Sequence, residues 1–121
     1  MEAHFVHANA AGGLAVIGAL MTAGRTNGVF AKIVSTMPQT EGPAMKADTG
    51  IDPNGLLPAA RSYYRYWGSL TTPPCSETVD WLLLTDPIQV AEADIARFAK
   101  LFPMNARPVQ KVNRRFVLRS A

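Results

Sequence analysis

A mainly β chain with few helices is the fold class this sequence predicts, and three features carry that prediction. Runs dense in β-branched, aromatic and other apolar residues recur at positions 2–7, 14–21, 62–68 and 78–85. Only one stretch, residues 92–102, spaces its apolar residues as a helix does. Irregular segments rich in Pro and Gly lie between them. The 121 residues are sized for one domain, and 48% hydrophobic against 17% charged residues supply a core and exclude a disordered chain. No run reaches the roughly 18 apolar residues of a membrane-spanning helix. The opening residues, with Glu2 and His4, do not read as a secretory leader. A single cysteine excludes an internal disulfide framework and a Cys-rich zinc module.

Taken in order, residues 2–7 read as a strand whose period of two puts Glu2, His4 and Val6 on one face and Ala3, Phe5 and His7 on the other. Residues 14–21 (LAVIGALM) form a continuous apolar run, short and β-branched enough for a buried strand, pairing with the first as an antiparallel hairpin around residues 9–13. Residues 24–28 break the pattern. Residues 29–37 are compatible with a helix of one turn or more, and residues 38–58 read mostly as surface loop. A strand follows at 62–68 (SYYRYWG), expected to pack its aromatics in the core and at its edge, and then a turn stiffened by Pro73 and Pro74. Another strand covers 78–85, and Pro87 precedes an apolar trio at 88–90. The helix at 92–102 shares one face among Ile95, Phe98 and Phe102. Glu92 and Asp94 suit its positive end, Ala91 is a weak cap, and Pro103 stops it. A last short strand is expected at 115–118.

The net charge of +3 is spread out except for Lys111, Arg114, Arg115 and Arg119. That cluster reads as a solvated strand end or as salt-bridge partners for absent neighbours; nothing here calls for nucleic acid or a membrane surface as partner. His4 and His7, three apart on a strand, face opposite ways and do not share a metal. Glu2 lies on the face of His4, where a carboxylate can orient a ligating imidazole. Zinc takes three or four ligands, more than one His supplies. Cys75 reads as a buried thiol or the orphan half of a disulfide. Thr71 and Thr72, on a stiff turn, are placed to orient water or a small polar ligand.

Five segments carry a family resemblance: EAHFVH at 2–7, LLP at 56–58, YYRYWGSLTTPPCSE at 63–77, VDW at 79–81 and NARPVQ at 105–110. In uninterrupted order they closely resemble the alpha-class carbonic anhydrases, especially bacterial ones. The resemblance implies that residues 1–121 are a partial catalytic domain, its C-terminal half, built on the C-terminal portion of a central twisted, mostly antiparallel sheet. It also implies zinc as cofactor, held by three histidines of which His4 matches the third; nothing here corresponds to the His-x-His pair that supplies the other two. Glu2 matches the carboxylate that orients that ligand, and His7 a histidine that is not one. Thr71 matches the threonine that accepts a hydrogen bond from zinc-bound hydroxide, and Thr72 lines the same pocket. Val6, Val16, Leu70, Val79 and Trp81 match the apolar wall for carbon dioxide. Tyr66, Asn105 and Arg107 match residues supporting the active-site loop and its surroundings. Cys75 matches a bacterial position bonded to an N-terminal cysteine.

The implied reaction is the reversible hydration of carbon dioxide to bicarbonate, for which carbonic anhydrase is itself the reference case of zinc lowering the pKa of bound water. With one ligand of three, the expectation is weak or lost activity, and self-association through open sheet edges and apolar faces. The alternative is a non-catalytic, self-associating structural or binding remnant of the fold. Family resemblance implies a periplasmic or secreted location.

Overall fold

The computed structural model describes residues 1–46, 50–102 and 104–121. Strand β1 (Glu2–Ala8) turns back at Asn9, whose side chain accepts from the backbone N–H groups of Ala11 and Gly13, and pairs antiparallel with β2 (Leu14–Ala23). Helix α1 (Gly28–Thr36) follows, then a 3-10 turn (Pro53–Leu56), β3 (Tyr63–Gly68), β4 (Val79–Leu84), β5 (Ile88–Val90), α2 (Glu92–Leu101) and β6 (Leu118–Arg119). The sheet runs β1-β2-β4-β3-β6, with β5 also against β2. Its β1–β2, β3–β4 and β3–β6 ladders are antiparallel, while β4 and β5 both run parallel to β2. The sheet is therefore mixed, with the antiparallel ladders in the majority.

Register assigns every side chain to a face. Val6 lies opposite Val16, Val16 opposite Trp81, and Trp81 opposite Tyr66, so these four share one face with Glu2, His4, Gly18, Leu83 and Tyr64. The other face, carrying Ala3, Phe5 and Met21, packs against the helices. Met21, Ile88, Val90, Phe30, Val34 and Leu56 form its core, with Ile33, Ile95 and Phe98 against them. Helix α1 resolves the ambiguous stretch at 29–37. Asn27 caps it by accepting from Phe30 N–H at 3.0 Å, Phe30 and Val34 bury one stripe, and Pro38 drives Met37 into extended backbone. Helix α2 has no side-chain cap at Ala91, as its sequence implies, and carries Glu92 and Asp94 in its first turn. Pro103, read as its stop, lies outside the described residues. No helix among those described is long and apolar enough to cross a membrane.

Three expectations need correction. The last strand falls at Leu118–Arg119, not 115–118, because Arg115 donates to the carbonyls of Trp67, Lys111 and Val112 and holds the preceding chain in a turn, with Asn113 at φ 54°. Phe102 lies beyond the end of α2 and is substantially exposed, touching Phe98 at 5.2 Å between ring centroids. Trp67, expected in the core or at its edge, is 64% exposed.

Candidate active site

The face of the sheet away from the helices carries a cleft of about 490 Å³. Its floor is set by one side chain. Trp81, 7% exposed, lies over two glycines: a Cβ on Gly68 would come within 2.8 Å of its Cδ1, and one on Gly18 within 3.6 Å of its Cζ3. Bare backbone at Gly68 is what leaves room for the indole, while a Cβ at Gly18 would meet it only in ordinary contact. Its Nε1–H donates to the Ser69 carbonyl at 3.0 Å, which fixes the ring's direction. Tyr66 stacks parallel to it at 6.4 Å, and His4 meets it edge-on at 4.8 Å and 77°.

His4 is thus held from below by an aromatic ring and from the side by Glu2, whose Oε1 lies 3.1 Å from His4 Nε2. A carboxylate there accepts the Nε2 proton and leaves the lone pair on Nδ1. No partner for Nδ1 appears among the described residues, and none of their buried polar side-chain atoms lacks one, so Nδ1 is reachable from solvent. His7, on the opposite face, bonds the Phe5 carbonyl through its own Nδ1 at 2.9 Å. Burial pushes the Tyr66 hydroxyl above its ordinary pKa, Arg115 works against that shift, and the Glu2 carboxylate adds to it.

Thr71 also lines the cleft, on the loop after β3. The loop is closed by Leu70 N–H on the Ser76 carbonyl at 3.0 Å and Cys75 N–H on the Thr72 carbonyl at 2.9 Å, around a cis bond between Pro73 and Pro74. Arg107 reaches in from the C-terminal segment and donates to the Ser69 hydroxyl, tying that segment to the same loop. Among the described residues, no three His, Cys, Asp or Glu side chains come together to hold a metal ion. The arrangement offers one oriented imidazole, a hydroxyl and an aromatic floor in a shared cleft.

A chain-wide likeness accompanies this geometry. Residues 1–121 match the family described as eukaryotic-type carbonic anhydrase. The chain belongs to that family. It is 44% identical to a carbonic anhydrase of Nostoc sp. over 98% of its own length and 45% of the relative's, and 41% identical to one of Klebsiella pneumoniae over 98% and 48%. Among solved structures it superposes on the alpha-carbonic anhydrase of Thermovibrio ammonificans, determined with the inhibitor sulfanilamide, with a TM-score of 0.90 at 42% identity, covering 96% of this chain and 52% of that one. A hyperthermostable carbonic anhydrase from a hydrothermal vent chimney gives a TM-score of 0.92 at 41% identity, with 99% and 54% covered. The chain therefore spans about half the length of the carbonic anhydrases it matches.

The residues singled out from sequence fall into three groups. Glu2, His4, Tyr66, Thr71, Trp81 and Arg107 line the cleft together. Val16, Val79 and Leu70 pack with Trp81 behind it, as an apolar backing. Val6, 60% exposed, and the exposed Thr72 and Asn105 do not line it. Cys75 is a half-buried free thiol. Sequence reasoning missed Gly18 and Gly68, whose importance depends on strand register, and Ser69, the hinge of two contacts. It also missed Arg115; a guanidinium in a basic cluster gave no sign that it would be spent on three backbone carbonyls.

Proposed function

We propose that this chain forms one side of a zinc carbonic anhydrase active site, corresponding to the C-terminal half of the family's catalytic unit, and that it serves the reversible hydration of carbon dioxide to bicarbonate and a proton. The observation that carries this reading is the Glu2–His4 contact at 3.1 Å over Trp81, within a cleft that Thr71 also lines. Glu2 fixes the imidazole tautomer and Trp81 fixes its plane, so Nδ1 is offered in one direction. Thr71 supplies a hydroxyl able to accept and donate at the same cleft. Trp81 and its backing of Val16, Val79 and Leu70 present the apolar wall that a small uncharged substrate requires.

Zinc is the family's cofactor, but a complete zinc centre does not fit the donors among the described residues, which provide one ring nitrogen in the cleft where three protein ligands are needed. No catalytic step is therefore assigned to the chain alone. Its activity is expected to be feeble or nil, and to appear when the portion that precedes the matched segment in full-length relatives supplies the other ligands. The same single-donor cleft favours a second reading, a non-catalytic binding remnant of the fold. Stopped-flow hydration assays separate the two. The chain with zinc should run near the uncatalysed rate. Adding the preceding portion of a full-length relative should raise that rate in a zinc-dependent way, and His4→Ala or Thr71→Val should lower it again. Enzyme-level hydration by the chain alone, or no gain from the added portion, would overturn the proposal.

A further inference from the structure

We infer that the sheet carries a second site, on the face away from the cleft, which binds a small ligand made of a planar aromatic ring and an attached carboxylate or phosphate. Strand register places it. Trp67 lies opposite Asp80, and Arg65 opposite Leu118, so these side chains share the face that Tyr66 and Trp81 do not occupy. The helices leave this part of that face uncovered. Their core gathers on Phe5, Met21 and Ile88, whereas β3 and β6 lie at the end of the sheet remote from β1. The turn before β6 brings Arg114, Arg115 and Phe116 beside Arg65, Trp67 and Asp80, around a groove of about 470 Å³. That volume lies in the range of small-molecule sites, roughly 300–1,000 Å³.

The lining explains the choice of ligand. Trp67 is 64% and Phe116 84% exposed, with the exposed Leu118 beside them. Aromatic rings held open to solvent offer π faces on which a flat ring stacks. The charge comes from guanidinium groups that no carboxylate among the described residues neutralises. Arg115 donates Nε to the Val112 carbonyl, Nη1 to that of Trp67 and Nη2 to that of Lys111, so its position is fixed while its charge stays unbalanced. Arg114, next to it, is exposed and makes no hydrogen bond or ion pair among the described residues. Asp80, the carboxylate in the lining, is already taken. Arg65 holds it through Nε at 3.0 Å and Nη2 at 2.7 Å, which balances its charge before a ligand arrives. A neutral ring would leave the guanidinium groups unanswered, and a bare inorganic anion would leave the aromatic faces open. A ligand carrying both groups answers the whole lining. The site lies on the opposite face from His4, so its failure would leave the hydration reading untouched.

Isothermal titration of the 121-residue chain with naphthoate and with adenosine monophosphate tests this. Naphthylmethanol and inorganic phosphate serve as controls that carry one group each. The expected result is saturable binding of at least one complete ligand, weakened by added salt and about tenfold or more tighter than its control. Preference for naphthoate would assign the site to aryl carboxylates, and preference for the nucleotide to nucleoside phosphates; either supports it. Trp67→Ala and Arg114→Gln should each weaken binding by about tenfold or more. Both side chains are exposed, so the far-UV circular dichroism spectrum should stay unchanged. Arg114→Lys should fall between Arg114→Gln and the parent, because it keeps the charge and loses the planar fork. Naphthylmethanol binding as tightly as naphthoate, affinity indifferent to both Trp67→Ala and Arg114→Gln, or no binding of either complete ligand would overturn the proposal. Dimerisation of the ligand-free chain that Trp67→Ala abolishes would do so too, since the groove would then seat a second copy.

Discussion

Trp81 ties the backing of the cleft to His4, and its position rests on what one neighbouring residue, Gly68, lacks. At Gly68 an added Cβ would sit 2.8 Å from Trp81 Cδ1, 3.2 Å from Nε1 and 3.3 Å from Tyr66 Cε2, and the indole is pinned by its bond to Ser69. Gly68→Ala should therefore cost about 1–3 kcal/mol in urea denaturation and shift the tryptophan fluorescence. Gly18→Ala meets chiefly the flexible end of Leu83 at 3.1 Å and should cost less. Equal costs would show that the indole is not confined as described. Tyr66 gives a prediction in pH. Because burial raises its pKa in the folded chain, the native state keeps the phenol proton where the unfolded chain has released it. The resulting stability is intact below about pH 10, the ordinary tyrosine value, and declines as pH rises through the folded pKa. The stability of Tyr66→Phe should thus decline less than that of the parent between pH 8 and pH 11; parallel profiles would contradict the burial argument. The Glu2–His4 pairing was legible in the sequence because a strand's period of two settles it locally. The glycine floor was not, because it depends on which residues of β3 and β2 lie beside Trp81, a matter of register between segments far apart in the chain.

The same contrast holds for the elements. Helix α2 announced itself through its spacing and acidic first turn, and its weak start is visible in Ala91, which offers no side-chain cap. Helix α1 did not, since Val29, Ile33, Val34 and Thr36 are β-branched and favour strands as readily. Its conformation is decided by Asn27, which caps Phe30 N–H at 3.0 Å and donates to the Gly55 carbonyl at 2.8 Å, and by the burial of Phe30 and Val34 against the sheet. Asn27→Ala should lose about 1–2 kcal/mol, since the cap and a tertiary bond go together. Ala91→Ser, placed on backbone already in the extended conformation a cap requires (φ −64°, ψ 137°), should gain roughly 0.5–1 kcal/mol. Chemical denaturation of the two variants checks both signs, and a neutral Asn27→Ala would mean that packing alone holds α1. The hairpin of β1 and β2 was likewise readable from adjacent runs and a turn. That β4 and β5 both lie parallel along β2 was not, because no local pattern states which distant strand a buried run will join.

For the molecule as a whole, the asymmetry of the sheet matters most. One face is sealed by α1, α2 and the 3-10 turn, while the cleft face leaves Val6, Leu20, Tyr64, Val112 and Val117 partly or largely exposed and Val109 fully so. Apolar surface gathered on one side of a small chain is poorly suited to water. This chain also spans about half the length of the carbonic anhydrases it matches. If the rest of the family's catalytic unit covers this face, its binding must stabilise the folded chain by mass action. At a free concentration about one hundred times its dissociation constant the gain is about 2.7 kcal/mol. Titrating that portion into the chain should raise the unfolding midpoint with concentration. It should also lower the fluorescence of a dye that reports exposed apolar surface, because the same side chains become covered. A midpoint that rises while dye fluorescence stays constant would place the contact elsewhere, away from the cleft face. No rise at all would mean that this face is native as it stands, and the exposed valines around His4 would then belong to a surface that works uncovered.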